Sequence, residues 1–389
     1  MERPPRDERS PGLPLTKRDF LRSCALGLCA LPVAQVLAFQ ENSPTLLARK
    51  GFIKPRRSPY FTALAGGEAR CELCPRQCRV PKGQRGFCRV RENRDGQIYS
   101  LAHGNPCAVH LDPIERKPFF HVLPGTRSLS LATTGCNLHC KFCESWEFSQ
   151  ALPEEVFNYD MPPEAVVEKA KSMAARSIAY SFVEPTVFHE YALDTAALAR
   201  KAGLLNVFHS NGFINPRPLR DLAQWMDAAN IDLKGFTETF YRDLCDGQLA
   251  PVLETLKALK RQKLHLEITH LVIPGRNDDL PTVKEMCLWV KRELGADTPL
   301  HFVRFYPLYK LQGLPPTPVP VLESIRATAL SAGLEHVYIA NVPGHEAGNT
   351  FCPGCKKKVI QRTGFMIGET HLKEGRCGHC GKPLPGLWA

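Results

Sequence analysis

From residue 128 to residue 340 the sequence alternates short apolar or β-branched runs with amphipathic stretches of helical period, which restricts the chain to very few folds. "SLSLAT" (128–133) reads as a strand. A helix over 163–175, opened by Pro-Pro-Glu, precedes the strand "SIAYSF" (177–182). The pattern continues with a helix to about residue 202, the strand "LLNVFH", a helix over 216–226, the strand "NIDL" and a helix over 251–261. It closes with "LHLEITHLV", a helix over 280–294, "LHFVRF", a helix over 321–332 and "HVYIA". Strands separated by helices of this length pair in parallel through right-handed crossovers. Six or seven such units predict an α/β chain with a full or partial (β/α) barrel.

In barrels the chemistry sits where the strands end. The polar residues of this stretch gather there: a cysteine loop after the first strand, "VEPT" (183–186) after the second, "HSNG" (209–212) after the third and "DLK" (232–234) on the fourth. Glu267 and Thr269 on the fifth strand, and His301 and Arg304 on the sixth, are expected to face the same side.

The cysteine loop, "TTGCNLHCKFCESW" (133–146), carries Cys136, Cys140 and Cys143 with no fourth cysteine at a matching distance. A closed zinc site needs four ligands and an iron–sulfur cube needs one per iron, so three thiolates leave one iron open. On spacing alone, a zinc knuckle completed by His139 competes with this reading. The chain has 16 cysteines. Apart from Cys24 and Cys29 near the N-terminus, all but Cys107, Cys245 and Cys287 fall in three tight clusters, which is metal spacing rather than a disulfide framework. Those three read as small core residues. "CPGC" and "CGHC", supplying Cys352, Cys355, Cys377 and Cys380, resemble a zinc ribbon. "CELCPRQCRVPKGQRGFC", supplying Cys71, Cys74, Cys78 and Cys88, suits zinc or an auxiliary cluster; spacing does not choose, and the reading leans to zinc.

Charge concentrates around that last set. Residues 46–100 hold 13 Lys and Arg against 4 Asp and Glu, an excess of 9 within a net charge of +11. Arginines beside thiolates balance an anionic metal site. The stretch lacks any nucleic-acid module signature, so nucleic acid is not the expected partner. Ahead of it, "CALGLCALPVAQVLAF" (24–39) follows "TKRDFLR" and is broken by Pro32 and Gln35, too short to span a membrane. It resembles a twin-arginine signal with Lys17 in place of the first arginine. The working protein is expected in the cytoplasm, or held at the membrane by an uncleaved leader, with export as the alternative.

CxxxCxxC at Cys136, Cys140 and Cys143, with Phe142 before the last cysteine and opening a βα barrel, resembles the radical S-adenosylmethionine (SAM) superfamily. The resemblance implies a [4Fe–4S] cluster on the three cysteines, with SAM chelating the open iron. It also implies reductive cleavage of SAM to a 5′-deoxyadenosyl radical that abstracts hydrogen from a substrate. "DPIERKPFFHVLPG", "VEPTVFHEY", "NIDLKGF", "ITHLVIPGRND" and "HFVRFYPLYKL" narrow the likeness to the pyruvate formate-lyase activating enzyme-like branch, and within it to the AmmeMemoRadiSam system enzyme, over roughly residues 60 to 389. Two departures, Phe182-Val183-Glu184-Pro185 and Cys143-Glu144-Ser145-Trp146, lie near the expected substrate space and leave the substrate open.

The same resemblance assigns Glu184 to the SAM amino group, Phe142 to the adenine, Asn211 to the ribose, and Asp232 with Lys234 to the SAM carboxylate; His301 and Arg304 are further cofactor-binding candidates. It implies an activase that places a glycyl radical on a partner protein or a modifier of a small molecule, an electron donor such as flavodoxin or ferredoxin, and a protein substrate or AMMECR-type and Memo-type companions. The chain thus divides into a leader (1–45), a basic Cys-rich module (46–115), a partial (β/α)6 radical SAM barrel (116–345) and a zinc-ribbon-like module (346–389). The competing function class is a non-catalytic multi-zinc protein that binds nucleic acid or a protein partner.

Overall fold

Seven strands pair in parallel in chain order, as the alternation demands: β2 (Arg127–Ala132), β3 (Ser177–Tyr180), β4 (Leu205–Ser210), β5 (Ala228–Asp232), β6 (His265–Val272), β7 (Leu300–Arg304) and β8 (Val337–Ala340). The computed structural model describes residues 47–388, so the leader, with Cys24 and Cys29, lies outside the described residues. β1 (Ala108–Pro113) adds an antiparallel edge to β2, with Ala108 opposite Ala132 and Pro113 opposite Arg127. That segment falls before residue 116, where the sequence places the barrel's start, so the large sheet begins inside the stretch read as the Cys-rich module. The strand order runs from β8 to β1 without a closing pair.

Six helices make the crossovers: α1 (Pro163–Ser172), α2 (His189–Lys201), α3 (Pro216–Ala223), α4 (Leu249–Arg261), α5 (Leu280–Leu294) and α6 (Val319–Ser331). Local chemistry sets their ends. Proline near the start of α1, α3, α5 and α6 costs no helical hydrogen bond, and Asp279 caps α5 by accepting from the Thr282 amide at 3.0 Å. Gly295, at φ +101°, ends α5 in a conformation that side chains rarely adopt. The strands β3 and β5 are buried almost throughout, as parallel strands covered on both faces must be.

Two small modules complete the described chain. Around the first cysteine set, three-stranded sheets (56–57, 91–94 and 97–100; 61–63, 69–71 and 79–80) enclose Tyr60, Ala69, Cys71, Leu73, Val80 and Ile98. At the other end, strands Thr350–Phe351, Lys358–Thr363 and Met366–Thr370 enclose Cys352, Val359, Ile360, Cys377 and Leu384. The last module is bound to the start of the barrel: Arg362 Nη2 donates to the Phe120 carbonyl, and Leu387 and Leu123 pair through backbone atoms, each at 2.7 Å. No helix among the described residues is long and apolar enough to cross a membrane.

Candidate active site

The loop after β2 is built to present sulfur. Gly135 takes φ +87°, and a Cβ there would collide with the Cys88 carbonyl oxygen, so only glycine lets the loop pass the N-terminal module. Cys136 Sγ accepts from the Leu138 amide at 3.4 Å and meets Asn211 Nδ2 at 3.8 Å, while Cys143 Sγ lies 3.3 Å from Ser149 Oγ. Backbone bonds from His139 to Cys245 (3.0 Å) and from Lys141 to Leu244 (2.8 Å) fix the middle of the loop. Residues 244 and 245 end a π-helical turn, Tyr241–Cys245, of the kind that recurs at functional sites.

Burial pushes the Cys136 thiol well above its ordinary range. Cys140 is held low, first by a hydrogen bond from Cys245 and then by the Lys234 charge. Cys245, read from the sequence as a plain core residue, therefore sits against a candidate ligand. Nothing in "YRDLC" signals that contact, because it depends on a loop a hundred residues away.

Glu184 is aimed by a strained turn. Phe182, a bulky residue at φ +69°, precedes it, a conformation held only where the surroundings over-determine it. Glu184 Oε1 accepts from the Thr186 amide (3.0 Å), Thr186 Oγ1 (2.6 Å) and Ser210 Oγ (2.7 Å), and Oε2 accepts from the Asn211 amide (2.8 Å). The carboxylate thus ties the end of β3 to the end of β4, within electrostatic reach of Cys136. Asn211 links back to the loop through Asn137 Oδ1 at 2.8 Å.

Asp232 and Lys234 meet at 2.8 Å, and His209 Nε2 reaches the other Asp232 oxygen at 2.7 Å. Burial alone would raise the Asp232 carboxyl, yet His209 and Lys234 hold it below the usual carboxylate range. Lys234 is kept protonated against its own burial by Asp232 and then by the nearby Cys140 and Cys245 thiols. Its Nζ lies 5.9 Å from the Phe142 ring centre, and Phe142 packs on Phe240. Cys140, Phe142, His209, Asp232 and Lys234 are therefore one group. His209 belongs to "HSNG", but its partner was not legible from sequence.

His301 is engaged elsewhere. It is the second residue of β7, fully buried, with Nε2 at 2.6 Å from Glu267 Oε2 and its ring packed on Phe120 and Tyr338. Glu267 also accepts from the Phe120 and His121 amides and from His265, forming the knot on which the C-terminal module rests. Glu267 and His301 thus partner this knot rather than the sulfur loop, because strand register turns them to the barrel's other end. Arg304, at the end of β7, donates from Nε to the Thr317 carbonyl at 2.9 Å. Thr269 donates to Asn230 at 2.8 Å.

The C-terminal sulfurs pair at 3.6 Å (Cys352 with Cys380) and 3.7 Å (Cys355 with Cys377), and all four lie within 4.8 Å of one another. Zn–S bonds of about 2.3 Å at tetrahedral angles place sulfurs about 3.8 Å apart, so this set fits one ion. Among the described residues no other three Cys, His or carboxylate ligand atoms gather so tightly. Cys136, Cys140 and Cys143 are not gathered as the ligands of one ion. His139 does not close a zinc knuckle with them: its ring stacks on Phe87 at 3.8 Å, and burial lowers it to about 4.

A parallel βα sheet whose first parallel strand ends in a three-cysteine loop, with polar groups from the next strand ends turned toward it, is the arrangement that the sequence resemblance implies. A model described as the radical SAM superfamily matches residues 130–287. An uncharacterized protein of Methanocaldococcus jannaschii is 42% identical over 331 residues, covering 85% of this chain and 98% of that one. A 7-carboxy-7-deazaguanine synthase of Thermococcus kodakarensis is 26% identical over 153 residues, 35% of this chain and 60% of that enzyme. The crystal structure of a radical SAM methyltransferase from Sphaerobacter thermophilus superposes with a TM-score of 0.47 at 11% identity, covering 82% of this chain and 84% of that one. The chain belongs to the radical SAM superfamily, and membership implies an enzyme that uses SAM and a [4Fe–4S] cluster.

Proposed function

We propose that the chain reductively cleaves SAM at a cluster held by Cys136, Cys140 and Cys143, in the pyruvate formate-lyase activating enzyme-like branch and in the role of the AmmeMemoRadiSam enzyme. The observation that carries this is the convergence on one loop of Glu184 and Asn211, and of the Asp232–Lys234 pair with Phe142, from three successive strand ends. Bound there, the cluster and SAM supply one-electron cleavage of the sulfonium and hydrogen abstraction from a substrate. The chain's own residues position and shield. Glu184, fixed by four donors, offers a charged acceptor for the SAM amino group. Lys234, held as a cation by Asp232, offers a point charge to its carboxylate. Phe142, buried beside Lys234, gives the adenine an apolar wall and keeps water out.

The substrate is proposed as a glycyl-radical protein or a small molecule, with AMMECR-type and Memo-type proteins as companions and electrons from a flavodoxin or ferredoxin in the cytoplasm. The C-terminal set is proposed as structural zinc, because its sulfur spacing fits one tetrahedral ion. The test is product analysis of the anaerobically reduced protein with SAM. Wild type is expected to release 5′-deoxyadenosine and methionine, and Cys136→Ala, Cys140→Ala and Cys143→Ala each to abolish release. Undiminished cleavage by any of the three would sink the proposal.

A further inference from the structure

Cys71, Cys74, Cys78 and Cys88 do not form a second copy of the C-terminal site. All four line one small cavity between the N-terminal module and the barrel, with Arg91 and Asn137 in its wall. They do not gather as a group able to hold one ion, whereas the C-terminal four do, with all sulfurs within 4.8 Å of one another. A single tetrahedral ion cannot span thiolates so spread, because its bond lengths hold them about 3.8 Å apart. Like the barrel cysteines, they are not gathered as the ligands of one ion, and here four thiols face the cavity, one for every corner of a cube.

Arg91 points to the same occupant. Its side chain is 1% exposed, with Nη1 donating to Glu190 at 2.7 Å and Nη2 to the Val187 carbonyl at 2.8 Å. The remaining donor, Nε, is buried and has no partner in the protein. A buried guanidinium seldom leaves a donor unpaired, and the sulfurs of an anionic metal–thiolate group are acceptors for it.

We infer that Cys71, Cys74, Cys78 and Cys88 hold a second [4Fe–4S] cluster, fully ligated by protein and accepting a hydrogen bond from Arg91 Nε. It shares a wall with the barrel site. Asn137, next to Cys136, lines its cavity, and Arg76 Nε donates to the Asn137 carbonyl at 2.7 Å. Asn215, just after β4, donates to the Glu72 (2.7 Å) and Cys74 (3.1 Å) carbonyls and so ties the ligand turn to the barrel. With all four irons taken by cysteine, this cluster offers SAM no open position. The assignment to the barrel cysteines enters only through that contrast.

The test is iron, sulfide and zinc analysis of the anaerobically reconstituted full chain, with electron paramagnetic resonance of the reduced protein with and without SAM. Wild type is expected to carry roughly eight irons, four per cluster, and about one zinc. The triple variant Cys136→Ala/Cys140→Ala/Cys143→Ala should keep roughly four irons with a cluster signal that SAM does not change. Cys74→Ser/Cys88→Ser should keep roughly four irons whose signal SAM does change. Arg91→Lys, which retains charge but not Nε, should lower the potential of the SAM-insensitive signal, and an unchanged potential would overturn the Arg91 contact. A triple variant without iron and sulfide would overturn the second cluster, as would loss of zinc rather than iron from Cys74→Ser/Cys88→Ser. Wild type whose every cluster signal ignores SAM, beside an iron-loaded triple variant, would instead count against the barrel assignment and leave the second cluster standing.

Discussion

Replacing His301 with alanine separates two roles for this residue, one in SAM binding and one in holding the barrel to its C-terminal module. The substitution removes a 2.6 Å bond to Glu267, and hydrogen bonds to charged groups contribute about 1.5–3 kcal/mol. It also removes a ring lying 4.7 Å from Phe120 and 5.0 Å from Tyr338, and such aromatic pairs add about 0.5–1.5 kcal/mol each. Glu267 keeps the Phe120 and His121 amides and His265, so the loss is partial and about 3–5 kcal/mol is expected. The assay is denaturant unfolding followed beside equilibrium SAM binding to the reconstituted protein. Stability should fall by that amount while SAM affinity stays within about twofold, because a position far from the sulfur loop adds independently. The pH dependence has a definite sign. Burial would raise the Glu267 carboxyl, but His265 and His301 hold it well below the usual carboxylate range. Its contribution is therefore complete above the unfolded carboxylate pKa and is lost as pH falls through the lowered folded value, so wild type and variant should converge in acid. A variant with wild-type unfolding and SAM binding weakened tenfold or more would refute this placement.

Cys377→Ser should lower stability and release the C-terminal metal while leaving SAM binding intact, since structural zinc contributes folding free energy directly. A folded variant that no longer binds SAM would show that this module shapes the active site. Gly135→Ala should prevent loading of the barrel cluster, because its Cβ has no room beside the Cys88 carbonyl and φ +87° is strained for alanine. Wild-type iron content and SAM cleavage in that variant would show that the loop passes the N-terminal module differently.

Much of this protein was determined along the chain. Strand and helix alternation followed from residue period, and the parallel order β2 to β8 followed from crossover length. The sulfur groups followed from spacing, since cysteines three or four apart must share a turn. What spacing does not carry is the distance between segments that meet only after folding. Cys140 and Cys245 touch across a hundred residues, and Asp232 finds His209 only through the β4–β5 register, so neither contact had a local signal. Likewise, His301 and Glu267 are polar residues on barrel strands like Asp232. Their height along β7 and β6, not their type, directs them to the module at the barrel's start rather than to the sulfur loop. The two four-cysteine sets make the same point in metal chemistry. Both have spacings that suit zinc, but one gathers its sulfurs, with pairs at 3.6 and 3.7 Å, while the other sets its cysteines around a cavity lined in part by the barrel residues Asn137, Thr186 and Val187, which only the fold brings there.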